Sequence, residues 1–174
     1  MTLLLKQIFG LLKLLNSDTG TNQIAAGIAA GFVLGMTPSF SLQTIIIIFL
    51  ILIFRIQIGA VFLSAFFCTF FAYILDPVFV AVGNHVLEMD ILKDTFIMLY
   101  NLPIIPFTRF NNSLVMGSGI VAFLLSPIVF LLTKVLIKKY REKVLDKLSQ
   151  TKLWNAVKAT SLFQWYYKYD KLYN

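Results

Sequence analysis

The longest apolar stretch of the chain is interrupted near its centre by small polar residues and a proline. Residues 24–54 carry no charged side chain, and this run is longer than the roughly 20 residues that cross a bilayer as one helix. Inside it lies Thr37-Pro38-Ser39-Phe40-Ser41, where Thr37 should leave the α-helical region because it precedes proline. The pattern therefore predicts two short helices, 23–36 and 43–54, joined by a break.

Each of these two predicted helices is too short to cross a membrane alone. At about 1.5 Å per residue each is roughly 18 to 20 Å long, against a hydrocarbon core of about 30 Å. We therefore favour a re-entrant hairpin that enters and leaves on the same side of the membrane. A single span that is kinked and tilted is the alternative.

The break is also a candidate binding site. Backbone groups freed at membrane depth must be satisfied by protein or water, so the break lines a cavity or is packed by neighbours. The start of the second helix, near Ser41 and Gln43, directs free N–H groups and the positive end of a helix dipole at whatever lies there. A phosphate or carboxylate would suit this position. The structural alternative is a turn satisfied only by the side chains of Ser39, Ser41 and Gln43.

Three glycines follow one another at four-residue spacing on the first predicted helix. Gly27, Gly31 and Gly35 form a smooth ridge along one face. Such ridges let two helix backbones approach closely inside a membrane, where no hydrophobic force separates protein from lipid. We expect the ridge to pack against another helix, and the membrane anchor of a partner protein is a candidate.

The remaining segments complete an all-α integral membrane protein. Residues 3–16 read as a basic amphipathic helix that lies in the interface. Spans are predicted at 57–75 and 114–133, and the polar connection 84–112 between them holds a possible interfacial helix capped by Asp90. The predicted fold is a re-entrant or broken helical hairpin, two or three spanning helices and interfacial amphipathic helices at both ends. The predicted divisions are an interfacial helix and loop at 1–22, a membrane domain at 23–143 and a basic, aromatic cytoplasmic or interfacial tail at 144–174.

Composition supports this class and orients it. The chain has a mean hydropathy of +0.83 and 13% charged residues, whereas soluble domains carry about 25%. If the hairpin opens to the cytoplasm, every lysine and arginine except Lys93 and Arg109 lies on that side. Because cytoplasmic segments of membrane proteins are enriched in cations, we expect both termini in the cytoplasm of a bacterial inner-membrane protein. The basic, aromatic tail could bind RNA, but no nucleic-acid fold signature accompanies it, so no nucleic-acid partner is predicted.

The sequence offers little for catalysis. It contains no phosphate-binding glycine loop and no nucleophile elbow, and its single histidine, His85, has no companion at metal-ligand spacing. We therefore predict no enzymatic activity, no cofactor and no metal site. Asp76 is nevertheless a candidate site residue, because a carboxylate at the end of an apolar segment is costly unless it is solvated. It either caps a helix that begins with Pro77 or contacts an ion or lipid headgroup.

A family resemblance is carried by four stretches of the chain: Gly31-Phe32, Pro38-Ser39-Phe40-Ser41-Leu42-Gln43-Thr44, Arg55-Ile56-Gln57 and Asp76-Pro77. These stretches resemble the bacterial membrane family known as domain of unknown function 2062. The family pattern is a glycine-rich helix followed by Pro-x-x-Gly-x-(Gln/His)-Thr, an apolar stretch, Arg-(Leu/Ile)-Asn and Asn-Pro. The chain departs from it at Ser41, Gln57 and Asp76.

This resemblance implies an inner-membrane protein, and one subgroup of similar length looks like the small partner encoded beside a large, bridge-like lipid-transfer protein of the envelope. We accordingly expect a non-enzymatic subunit that assists phospholipid transfer with a large periplasm-spanning partner. The alternative is a transporter of ions or small solutes that uses Asp76 and the break. The residues expected to contact a lipid headgroup or substrate are Pro38, Ser39, Ser41, Gln43, Arg55, Asp76 and Pro77.

Overall fold

The computed structural model describes residues 20–39, 41–54 and 56–142, and this part of the chain is helical without any strand. Contacts within the chain divide it into two units, residues 1–135 and 136–174. The described elements are α1 (Thr21–Met36), α2 (Leu42–Ile53), α3 (Ile58–Leu87), α4 (Asp90–Tyr100), a 3-10 helix (Ile105–Thr108) and α5 (Ser113–Tyr140). The all-helical class predicted from the sequence is confirmed for these residues.

The break between the first two helices lies where the proline predicts it. Thr37 has extended backbone angles, φ −104° and ψ 146°, because the ring of Pro38 disfavours the helical region for the residue before it. The backbone N–H and the hydroxyl of Thr37 both donate to the carbonyl of Val33, at 3.1 and 2.8 Å, so Thr37 caps the end of α1. Ser41 then serves as the N-cap of α2.

The glycine ridge of α1 packs against α3 of the same chain. A Cβ atom at Gly27 would lie 2.6 Å from the carbonyl oxygen of Gln57, one at Gly31 would overlap the carbonyl of Val61, and one at Gly35 would lie 2.6 Å from that of Ala65. The contacts advance by four residues on both helices, so α1 and α3 run in the same direction. We expected a partner's anchor helix on this ridge, but α3 occupies it.

The beginning of α3 lies beside the beginning of α1. The N–H of Gln57 donates to the carbonyl of Gln23 at 3.3 Å, and these residues stand at the beginnings of α3 and α1. Because α1 and α3 are parallel, α2 must bring the chain back from the far end of α1 to this point. Helices α1 and α2 therefore form a hairpin, and its tip includes Thr37, Pro38, Ser39 and Ser41.

Helix α3 continues through Asp76 and Pro77 for 30 residues. The prediction that a span ends at Leu75, with Asp76 as a possible cap for a new helix, is wrong. Proline removes one backbone hydrogen bond, here to the carbonyl of Tyr73, and helices packed among neighbours in a membrane tolerate this loss. Phe79, two residues beyond the proline, is buried in the core and holds the second half of α3 in place.

Helices α3 and α5 cross where both carry glycine. A Cβ atom at Gly83 would overlap the carbonyl of Ser113, and one at Gly117 would overlap the carbonyl of Phe79. The register runs in opposite senses, so the two helices are antiparallel. Asn112 begins α5 by accepting a hydrogen bond from the N–H of Val115 at 3.2 Å, a capping role that suits its short polar side chain.

The first unit has a small apolar core, and many of its large apolar side chains are exposed. The core consists of Ala30, Val33, Met36, Ile47, Val61, Phe79 and Ala122. Exposed isoleucine, leucine and phenylalanine side chains cover α2, α3 and α5, which marks an apolar environment as their surroundings. Two helices, α3 and α5, are long and apolar enough to cross a membrane.

Two further predictions concern the ends of the chain and the connection between the long helices. The connection 84–112 does contain a helix, α4, but its N-cap is Met89, and Asp90 is the first helical residue. The predicted amphipathic helix at 3–16 and the tail from residue 144 lie outside the described residues. The described part of the second unit contains the last turns of α5. There the Nζ of Lys138 lies 3.8 Å from a carboxylate oxygen of Glu142.

Candidate functional site at the hairpin tip

Hydroxyl groups form hydrogen bonds at the tip of the α1–α2 hairpin. Ser41 is fully buried, and its Oγ accepts from the N–H of Thr44 at 3.5 Å. The Thr44 hydroxyl lies 3.3 Å from the Ser41 hydroxyl and donates to the carbonyl of Pro38 at 3.5 Å. These bonds are long and therefore weak, so the start of α2 is only loosely satisfied by its own side chains.

Gln43 connects the tip to α5. Its Nε2 donates to the carbonyl of Val115 at 2.9 Å, and its amide lies against the Cα of Gly119, where a Cβ atom would overlap Nε2. This geometry sets the orientation of the amide, because the reverse orientation would place two carbonyl oxygens against each other. Gln43 therefore needs Gly119 for space and Val115 for a partner.

The other atom of the Gln43 amide is buried and has no partner among the described residues. Its Oε1 is covered by protein but accepts no hydrogen bond there. A buried acceptor without a donor costs about 1–3 kcal/mol, and native structures usually supply a water, ion or ligand at such a point. The donor that would suit Oε1 is an N–H or O–H group.

The α5 side of the contact contributes a second buried hydroxyl. Ser118 is fully buried and donates to the carbonyl of Val115 at 3.3 Å, so this carbonyl receives both Ser118 and Gln43. Gln43 and Ser118 therefore meet at one carbonyl oxygen of α5, and the buried Ser41 stands two residues before Gln43.

Asp76 and Pro77 lie on α3 at the height of this contact. Gly119 stands two residues beyond Gly117, which packs on Phe79 of the antiparallel α3, so along the axis of α3 the contact of Gln43 with α5 lies at about the level of Pro77. Asp76 is half-buried. It lies about 27 Å along α3 from Ile58, within an apolar stretch that continues to Val82.

The predicted site residues are therefore only partly brought together. Pro38, Ser41 and Gln43 share the tip, and Asp76 and Pro77 lie at its height without a direct bond to it. Ser39 is exposed, and Arg55 lies outside the described residues. Gly27, Gly31 and Gly35 serve the α1–α3 contact instead.

Sequence reasoning missed the α5 half of the site. Gly117-Ser118-Gly119 stands inside the apolar stretch that begins α5, and small residues in such a helix indicate a close contact. These small residues do not identify Gln43 as the side chain that packs on them, because Gln43 is 72 residues away in sequence from the carbonyl that it bonds. Among the described residues, no three His, Cys, Asp or Glu side chains come together as a metal ion would need.

The fold and the site define an all-helical protein with two helices long enough to cross a membrane and a helical hairpin packed through glycine. Residues 8–145 match the bacterial family described as "Uncharacterized protein conserved in bacteria (DUF2062)", and the chain belongs to this family. An "Uncharacterized protein" of Treponema pallidum (strain Nichols) is 21% identical over 159 residues, which cover 91% of this chain and 98% of the relative. No solved structure matches the chain.

Proposed function

We propose that the protein is a multi-pass protein of the bacterial inner membrane, with the α1–α2 hairpin re-entrant and open to the cytoplasm. Crossing by α3 and by α5 places the end of α2 and the end of α5 on one side. The return of Gln57 to Gln23 brings the start of α1 to that same side. The cation-rich C-terminal segment then lies in the cytoplasm, and Lys93 and Arg109 lie outside, as cation enrichment in cytoplasmic segments favours.

Within the membrane the protein acts as a non-enzymatic subunit that assists phospholipid transfer. The observation that carries this proposal is the polar hairpin tip, with an unpartnered amide oxygen on Gln43, held inside the apolar length of α3. A phospholipid headgroup offers an anionic phosphate for the N-terminus of α2 and, in phosphatidylethanolamine, an ammonium donor for Gln43 Oε1. Because Oε1 is covered, the headgroup reaches it only when the tip separates from α5.

The partner in this proposal is a large periplasm-spanning lipid-transfer protein with a membrane anchor. Since α3 occupies the glycine ridge, the anchor requires another surface. Helix α5 supplies one, because its second half exposes a series of apolar side chains: Leu124, Leu125, Ile128, Leu131, Leu132 and Val135.

Purification from native membranes tests this function. A large envelope protein should copurify, and phospholipid should remain bound in mild detergent, as detected by native mass spectrometry. Gln43→Leu should reduce the retained phosphatidylethanolamine, whereas Ser39→Ala, at the exposed edge of the tip, should leave it unchanged. A monodisperse small protein with neither partner nor lipid would overturn the proposal.

A second candidate function rests on Asp76. Its carboxylate lies inside a continuous apolar helix rather than at a helix start, and intramembrane carboxylates commonly mark ion or proton pathways. In this alternative, Asp76 and the hairpin tip form the site of a transporter for ions or small solutes. Helix breaks at substrate sites are common in such proteins.

Substitution and flux measurements separate the two candidates. In proteoliposomes, a transporter should lose ion or solute flux with Asp76→Asn while keeping bound phosphatidylethanolamine. Normal flux and growth with both Asp76→Asn and Gln43→Ala would remove the basis of the transporter alternative.

A further inference from the structure

We propose that residues 97–107, between α3 and α5, insert their apolar side chains into the surface of the bilayer on the side opposite to the opening of the hairpin. This inference rests on the membrane placement proposed above. It concerns a part of the chain that neither candidate function uses, and its partner is the lipid of the same membrane.

The protein covers one apolar face of α4, and the last turn of the helix exposes further apolar side chains, Ile97, Met98 and Tyr100. Leu92, Phe96 and Leu99 recur at helical spacing and are half-buried, and the ring of Phe96 lies 6.0 Å from that of the buried Phe110. The sequence pattern also puts Ile91 on this face of a possible interfacial helix, but Ile91 is 87% exposed, and the other three side chains pack on the protein. The membrane-facing surface must therefore be the exposed one.

The exposed apolar side chains extend from the last turn of α4 to the 3-10 helix. Ile104 and Phe107 stand three residues apart at the 3-10 helix, whose period of three aligns them on one edge, and they are 74% and 80% exposed. The Thr108 hydroxyl holds this turn by donating to the carbonyl of Ile105 at 2.6 Å. The full exposed set comprises Ile97, Met98, Tyr100, Leu102, Ile104 and Phe107.

Position and charge identify lipid as the occupant. The connection leaves α3 near Gly83 and rejoins the bundle where Ser113 packs on that same glycine, so it is tethered to one end of the two long helices. Residues 95–108 carry no charge. The exposed cation Arg109 follows directly, placed to pair with lipid phosphates, and a tyrosine beside apolar side chains is typical of the membrane interface.

Spin labelling tests this inference in the full chain. Cys68, the single cysteine, is first replaced by alanine, and the chain is reconstituted in vesicles of phosphatidylethanolamine and phosphatidylglycerol. Cysteines for the label are introduced by Phe107→Cys and Ile97→Cys. The lipid-facing control is Phe62→Cys on α3, and the aqueous control is Asn111→Cys, both at exposed positions.

The label at 107 and 97 should collide more often with oxygen, which partitions into lipid, than with a water-soluble nickel chelate, as at position 62. At position 111 the label should collide more often with the nickel chelate than with oxygen. A water-like result at 107 and 97 with a lipid-like result at 62 overturns this inference alone, and protection from both reagents at 107 and 97 overturns it in favour of a protein contact. A water-like result at 62 overturns the membrane placement itself.

Discussion

The backbone N–H of Gln57 donates to the carbonyl oxygen of Gln23 across 3.3 Å, joining the start of α3 to the start of α1. The chain between these two residues therefore forms a hairpin whose two ends lie side by side. Its outward arm lies on α3 through three glycines, and its tip meets α5 through Gln43. The hairpin is thus fastened at its base, along one arm and at its tip.

The glycine ridge should stabilise the isolated chain, independent of any partner. Gly31→Ala places a methyl group into the carbonyl of Val61, and such overpacking costs about 1–3 kcal/mol. We expect a lower thermal unfolding temperature for the purified protein in detergent. The matched control is Gly20→Ser, where a Cβ atom meets nothing closer than 4.0 Å and serine is a good N-cap. Equal unfolding temperatures for wild type and Gly31→Ala would contradict the contact.

Gln43 and Gly119 should be energetically coupled. Gly119→Ala pushes the Gln43 amide away from the carbonyl of Val115, which we expect to lower the free energy of unfolding by about 1–3 kcal/mol. In a Gln43→Ala background the amide is absent, so the same change should cost little, since alanine is the better helix former. A double-mutant cycle measures the difference. The same cost in both backgrounds would show that the two residues do not meet.

Pro77 should be dispensable for folding. Pro77→Ala restores a donor for the carbonyl of Tyr73 inside the continuous helix, so the free energy of unfolding should rise or stay unchanged. Pro127→Ala in α5 is the matched control, because the Ser126 hydroxyl already donates to the carbonyl that Pro127 leaves free, at 3.0 Å. The free energy of unfolding should rise more with Pro77→Ala than with Pro127→Ala. Destabilisation at Pro77 would instead favour a helix that begins there.

Local rules predicted the hairpin well. The steric effect of Pro38 on Thr37 acts between neighbours in sequence, so the end of α1 followed directly, and the spacing of Gly27, Gly31 and Gly35 predicted a close helix contact. The partner of that ridge did not follow, because a glycine pattern shows that a backbone approaches and not which one.

The errors arose where tertiary packing outweighs local preference. Asp76-Pro77 has the form of a helix start, yet Phe79 and Gly83 pack beyond it and keep α3 continuous. The contact of Gln43 with Val115 joins residues far apart in sequence, and no single-sequence pattern encodes such a pair. The end regions, residues 1–22 and 144–174, stay predictions, as do the domain boundaries drawn from them.

The sidedness of three introduced cysteines tests the re-entrant hairpin most directly. In the Cys68→Ala background, Asn22→Cys lies in the first turn of α1, Phe54→Cys follows α2 and Asn111→Cys lies between α3 and α5, all at exposed positions. A membrane-impermeant maleimide is applied to inverted vesicles and to right-side-out spheroplasts. For a re-entrant hairpin, positions 22 and 54 should react from the cytoplasmic side and position 111 from the periplasmic side. Reaction of position 54 from the same side as position 111 would contradict it.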